Sequence, residues 1–287
     1  MASTEPVGAK EARLSSIAPN NRMKIIKGLA WLNDVVQILV LDRFDPRRKR
    51  FSEQASTSCR ELRFHSRAKI RSFPLAQIIT MFTPQSFEQV SLPGPFTDLS
   101  DVGSMNVYHV MGSLVRSLEP RVILEFGTYL GVSTHTMALN APKDCRVYTV
   151  DLPDETSPEA VPKLNSIDQR HIRKSRYRVG EAFLHSSTSR QIIQIRADSM
   201  KFRAETEMKE VDLVFIDGGH SLPIIKNDTE NAFRVLSATG TVIWDDYFHL
   251  YPDVVQFLDE LRTQFPLYGI AGTNLVIYCR RFCNPIE

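Results

Sequence analysis

Extremes are scarce in this sequence of 287 residues, which holds four cysteines, two tryptophans and 13 glycines. So few cysteines in so long a chain exclude a disulfide scaffold. Cys59, Cys145, Cys279 and Cys283 form no C-x-x-C pair and read as free, mostly buried thiols of a reducing compartment. Cys279 and Cys283 fall where a closing strand is expected, on one side of it but too far apart to share a metal. Glycine shows no period, which excludes a collagen-like repeat, and 43% hydrophobic with 24% charged residues excludes global disorder. No apolar run reaches the roughly 20 residues of a membrane span. The most apolar early stretch, Leu29 to Leu41, is interrupted by Asn33, Asp34 and Gln37. The opening MASTEPVGAKEARLSS lacks the charged-then-apolar order of a secretion signal. The expectation is a soluble, cytoplasmic protein with no membrane partner.

Net charge is also small, at +2 from 35 basic and 33 acidic residues, which argues against a dedicated nucleic-acid binder. The average hides a segregation. Residues 1–70 hold 14 Lys/Arg against 7 Asp/Glu, an excess of +7, which leaves −5 for the remaining 217. In that basic quarter, Ile25, Ile26, Leu29, Leu32, Val35, Val36 and Leu39 follow the spacing of an amphipathic helix. The helix is expected from Asn20 or Asn21 to about Asp42, stopped by Pro46, and could cover the domain that follows or form a homodimer interface. Arg47-Arg48-Lys49-Arg50 reads as a solvated turn, with docking of an anionic substrate or partner as the second reading.

From residue 105 onward, apolar runs alternate with helical periodicity. A helix near 106–118 precedes Arg121–Phe126 (RVILEF), a run suited to a strand buried on both faces. Helix 132–139, strand 146–150, an irregular basic stretch at 152–190, strand 191–196 and a helix near 199–209 follow. Strand 212–216, helix 223–236, strand 241–244, helix 253–264 and a hairpin-like pair near 266–271 and 275–280 complete the series. This order describes an α/β fold with a doubly wound, seven-stranded, mostly parallel sheet. The expected organisation is a tail and helical extension over 1–100 and the main α/β domain over 101–287.

Ligands of such sheets sit at the carboxyl ends of the strands. There the sequence places Gly127-Thr128-Tyr129-Leu130-Gly131-Val132-Ser133 directly after Glu125-Phe126. Glycine allows a tight turn and close backbone approach, and the following helix offers free N–H groups. The spacing is G-x-x-x-G, not G-x-G-x-x-G, and the preceding Glu suits a cationic or amine-bearing cofactor better than a pyrophosphate. Asp151 ends the second strand, 26 residues after Glu125, where a carboxylate can accept a ribose diol. Asp198-Ser199 after the third is placed for an adenine edge, or else caps a helix. Asp217-Gly218-Gly219-His220 and Asp245-Asp246 end the fourth and fifth.

In this order the residues resemble the class I S-adenosylmethionine-dependent methyltransferases over roughly 105–281, the final strand pair included. FIDGGHS and WDDY look most like the bacterial branch that serves sugars and natural products. The resemblance implies that S-adenosylmethionine meets Glu125 and Gly127 through its methionine moiety, with Ser133 at its carboxylate and Thr128 and Gly131 also in its binding site. It implies Asp151 at the ribose and Asp198 with Ser199 at the adenine, with Asp217 bordering both cofactor and reaction site. Catechol-type divalent-metal O-methyltransferases carry a metal-ligand Asp after the fourth strand, a Lys three positions on, and an Asp-Asn pair after the fifth. Here the Lys position is His220, a base familiar in metal-dependent sugar O-methyltransferases, and the Asn position is Asp246.

Several carboxylates on one sheet edge repel unless a cation or a shared proton intervenes, so Asp217, Asp245 and Asp246 are candidate Mg²⁺ ligands. His220 could then take the proton of a small-molecule hydroxyl acceptor, such as a sugar or polyketide-like metabolite. A second reading omits the metal, with Asp245 a buried cap, Asp246 a loop-positioning group and His220 bonded to the backbone. A third is a non-catalytic S-adenosylmethionine-binding scaffold whose basic N-terminal region docks a partner. Nucleic-acid methylation is disfavoured, because no N/D-P-P-Y/F motif occurs and the catalytic part is acidic. Tyr247, His249, His171 and His185 are secondary candidates for pocket lining, and His135 and Trp244 read as structural.

Overall fold

The computed structural model describes residues 68–80, 90–93, 100–161 and 164–282. Contacts divide the chain into two units, residues 1–67 and 68–287, and all described residues lie in the second. The expected helix at 20–42, the Arg47–Arg50 run, Cys59 and Cys283 lie outside the described residues.

Eight strands form one sheet: β1 (Ser72–Phe73), β2 (Val122–Phe126), β3 (Arg146–Asp151), β4 (Ile192–Arg196), β5 (Val211–Ile216), β6 (Leu236–Trp244), β7 (Tyr268–Ile270) and β8 (Val276–Cys279). Their order is β1-β7-β8-β6-β5-β2-β3-β4. All pairings are parallel except those of β8 with β6 and β7. Helices α1 (Leu75–Thr80), α2 (Ser100–Leu118), α3 (Val132–Asn140), α4 (Ser166–Ser175), α5 (Ala204–Glu207), α6 (Leu222–Val235) and α7 (Pro252–Leu261) connect them.

The doubly wound architecture is as the sequence predicts, with one strand more. β1 extends the sheet through Ser72 and Phe73, which pair with Gly269 and Ile270. A two-residue strand has no hydrophobic period to detect, so only tertiary pairing reveals it. β6 begins five residues before the expected Thr241. The strand passes through Gly240 with a register shift between Val211 and Leu213 of its neighbour. The stretch 152–190, expected to be irregular, contains α4, and the helix expected near 199–209 shrinks to the four residues of α5.

The apolar runs become strands covered on both faces. Ile123, Val147, Leu213, Phe215 and Ile243 pack with Met111, Leu114 and Val115 of α2 and Met137 of α3. The alternate residues Leu124, Phe126, Val214, Val242 and Trp244 are equally buried on the other face. Each such side chain contributes roughly 1.5–3 kcal/mol of transfer free energy. Trp244 satisfies its one polar atom by donating from Nε1 to Thr229 Oγ1 at 2.9 Å. Both Cys145 and Cys279 are buried thiols, as expected. Among the described residues no helix is long and apolar enough to cross a membrane.

Candidate active site

The carboxyl ends of β2, β3, β5 and β6, the loop after β4, and α4 surround a cavity of about 880 Å³. On one flank lies the turn after β2. Gly127 has φ +93°, and a Cβ there would sit 2.0 Å from the Asp217 carbonyl oxygen, so only glycine lets β2 and β5 emerge side by side. The turn is held by Asp151. Its Oδ2 accepts the N–H groups of Thr128 (3.0 Å) and Tyr129 (2.7 Å), and its Oδ1 accepts that of Leu152 (2.7 Å). Burial raises the Asp151 pKa against the pull of these three N–H bonds.

Glu125 stands behind this flank, fully buried. Ser133 Oγ (2.6 Å) donates to its Oε1, and Thr134 Oγ1 and Thr149 Oγ1 (2.6 Å) donate to its Oε2. Burial pushes its carboxyl up to about 7, and the hydroxyl bonds pull the other way. The carboxylate therefore ties α3 to β2 and β3 and does not line the cavity; Thr128 and Gly131 likewise lie behind the wall. Gly127, Ser133, Asp151, Asp198, Ser199, Asp217, His220, Asp245 and Asp246 all border it. Asp198 Oδ1 accepts the Met200 N–H at 3.0 Å, so this residue builds its turn and faces the cavity at once.

The opposite flank is acidic. Backbone ladders continue past the strands, with the Asp217 N–H donating to Phe126 O (2.9 Å) and the Asp245 N–H to Ile216 O (3.1 Å), which sets their side chains on adjacent strand ends. Asp217 is raised well above the ordinary carboxylate range by burial, then by repulsion from Asp245 and Asp246. Asp245 is pushed up to about 7 by burial and by Asp246, while the Asp246 N–H donating to its Oδ1 (2.7 Å) opposes this. Asp217, His220 and Asp246 each bring a ligand atom within 4.8 Å of the others, the one such group among the described residues. Asp245 stands outside that group, its Oδ1 turned back on its neighbour.

His220 is held on every side. Its Nδ1 lies 2.5 Å from Asp168 Oδ1, its main-chain N–H donates to Asp168 Oδ2 (3.1 Å), and its Nε2 lies 2.5 Å from Asp246 Oδ2. Tyr251 stacks on the ring with centroids 4.1 Å apart. Burial alone would lower the imidazole pKa, but the two carboxylates outweigh it and raise it well above its ordinary value.

Asp168 is a residue that sequence reasoning missed. Three positions after Asn165, it reads as part of a helix start, and Asn165 does cap α4 by accepting from Ile167 and Asp168 N–H (2.9 Å each). Nothing local reveals a histidine 52 positions away. Asp228 of α6 was also missed: 1% exposed, it is pushed up to about 7 by burial and sits beneath Gly218 beside Ser199 and Asn227. His171 lines the cavity against Tyr129, whereas Tyr247, His249 and His185 do not line it. Tyr247 instead donates to Asp259 Oδ1 (2.8 Å). Of the basic insertion residues, Arg173 and Arg178 pair with Glu159 (2.6 Å) and Glu181 (2.7 Å).

Residues 124–247, which span the glycine turn, Asp151, His220 and both aspartates after β6, match the family model described as a methyltransferase domain. The match shows a methyltransferase domain that contains these strand-end residues. Among solved structures the chain is similar to a methyltransferase from Geobacter sulfurreducens, at 12% identity over 65% of this chain and 90% of that one, TM-score 0.43. An O-methyltransferase from Bacillus cereus in complex with SAH is 16% identical over 71% and 87%, TM-score 0.42. The O-methyltransferase TomG from Streptomyces achromogenes, in complex with SAM, is 16% identical over 76% and 95%, TM-score 0.42. No curated protein matches the chain. The sheet order from β4 to β7 runs β4-β3-β2-β5-β6-β8-β7, so the glycine turn and the acidic flank leave adjacent central strands β2 and β5.

Proposed function

We propose that the domain binds S-adenosylmethionine along Gly127, Ser133, Asp151 and Asp198-Ser199 and transfers its methyl group to a hydroxyl of a small molecule held against Asp217, His220 and Asp246. One observation carries this reading: an imidazole locked between two carboxylates opens on the same cavity as the glycine turn. Asp151 Oδ1 accepts a single hydrogen bond and so keeps acceptor capacity for a ribose hydroxyl.

The chemistry follows from these groups. Asp246 carries the Nε2 proton away as the acceptor hydroxyl takes its place, and the neutral imidazole then removes the hydroxyl's proton. The oxygen attacks the methyl carbon, the carbon–sulfur bond breaks, and its electron pair returns to sulfur, leaving S-adenosylhomocysteine and an ether. A basic imidazole backed by Asp168 suits a weakly acidic hydroxyl. Preorganised groups at the strand ends supply the in-line geometry.

A divalent cation such as Mg²⁺ fits the acidic flank, because burial and then repulsion from Asp245 and Asp246 raise Asp217, and burial and then Asp246 raise Asp245. Asp217 and Asp246 would hold it, with Asp245 behind; when bound it would lower the hydroxyl's pKa. The Asp168–His220 pair supports a second, metal-independent reading, since a carboxylate-backed imidazole can act alone. Calorimetry with S-adenosylhomocysteine tests the cofactor: no heat from the intact protein, with Asp151→Ala changing nothing, would refute the assignment. Methyl transfer assayed over a panel of sugars and phenols, with and without EDTA, separates the two mechanisms. Cofactor binding with no turnover across the panel would point to a scaffold.

A further inference from the structure

A strand-end base needs a defined ring plane and a defined tautomer, and neither is supplied by β5, the strand that ends four residues before His220. Both come from α4, in the segment between β3 and β4. One carboxylate meets the same residue twice, through Oδ1 at ring Nδ1 and through Oδ2 at the main-chain N–H. Asp168 is only 4% exposed, so little water competes for it. Asn165 satisfies the Asp168 N–H, which leaves the carboxylate free to turn from its own helix. Tyr251 closes the ring's face.

We infer that Asp168 is the positioning residue of the transfer reaction, fixing the His220 ring and holding the hydrogen on Nδ1 so that Nε2 is the nitrogen offered to the acceptor. This rests on the methyl-transfer reading above. It also gives α4 a role besides walling the cavity: its docking completes the base. The Asp168→Asn variant separates positioning from anchoring. Asn has one acceptor oxygen where Asp168 uses two. The main-chain N–H of His220 claims that oxygen, so the amide NH₂ faces Nδ1 and drives the ring hydrogen to Nε2.

The test is ¹⁵N ring spectroscopy of histidine-labelled full-length protein at alkaline pH, where the imidazole is neutral, with His220 assigned by its loss in His220→Gln. The expected result is an Nδ1–H tautomer in the wild type and an Nε2–H tautomer in Asp168→Asn. Affinity for S-adenosylhomocysteine and the cooperativity of unfolding should stay at wild-type values. An Nε2–H tautomer in the wild type, or an unchanged tautomer in the variant, overturns the inference. So does a variant that loses cooperative unfolding or S-adenosylhomocysteine binding, since Asp168 would then be an anchor of the fold. A wild type that shows the expected tautomer but binds no S-adenosylhomocysteine refutes the methyl-transfer reading instead.

Discussion

The two flanks of the cavity are built from the same material, carboxylates at the ends of parallel strands, and treat it in opposite ways. On the β2–β3 flank, Asp151 accepts three backbone N–H groups and Glu125 three hydroxyls. On the β5–β6 flank, Asp217, Asp245 and Asp246 face one another and a histidine, with a single backbone N–H turned onto Asp245. A carboxylate with its hydrogen bonds made is a structural element that shapes a turn. One left against another carboxylate stores unfavourable charge that only a proton, a cation or a substrate hydroxyl relieves. In the proposed function the first flank receives the cofactor and the second exchanges protons.

The sharpest way to separate the flanks is to remove His220. His220→Ala should lower kcat by roughly 10²–10⁴-fold, as loss of a general base does, while S-adenosylhomocysteine affinity measured by calorimetry stays within about threefold. Gly127→Ala should break both together. Its Cβ would meet the Asp217 carbonyl at 2.0 Å in a backbone with φ +93°. A loss of roughly 3 kcal/mol or more in urea unfolding is expected. Asp151→Ala strips the first flank alone and leaves the N–H groups of Thr128, Tyr129 and Leu152 without their acceptor. S-adenosylhomocysteine affinity should fall by roughly 10- to 100-fold, from about 1–3 kcal/mol of lost hydrogen bonding.

The smallest effect concerns Glu125, whose carboxyl is raised from 4.5 to about 7, chiefly by burial. Between those values the folded protein keeps a proton that the unfolded chain has released. Its contribution to stability is therefore full below pH 4.5 and is lost as the pH rises through 7. Glu125→Gln should remove this share of the pH dependence, a slope of at most about 1.4 kcal/mol per pH unit, in urea titrations across that window. An unchanged slope would mean that Glu125 is ionised in the native state and that the contrast between the flanks is weaker than drawn.

The sequence was most readable where one segment carries both the signal and its cause. RVILEF becomes a central strand because its residues are apolar on both faces, and Gly127 is indispensable because of its own backbone. It was least readable where the partner is remote. Glu125 reads as a ligand contact from its place at a strand end, yet three hydroxyls draw it under α3. β6 starts five residues before the expected Thr241, because a neighbouring strand accepts the irregularity at Val211–Leu213.

What the sequence determined by itself was the order of elements and the identity of the groups at each strand end, because hydrophobic period and glycine position act over a few residues. What tertiary structure decided was which of those carboxylates are satisfied and which are crowded. Asp168 and His220 are 52 positions apart and meet only after α4 docks, and a hydrogen bond has no partner until the chain supplies one in space.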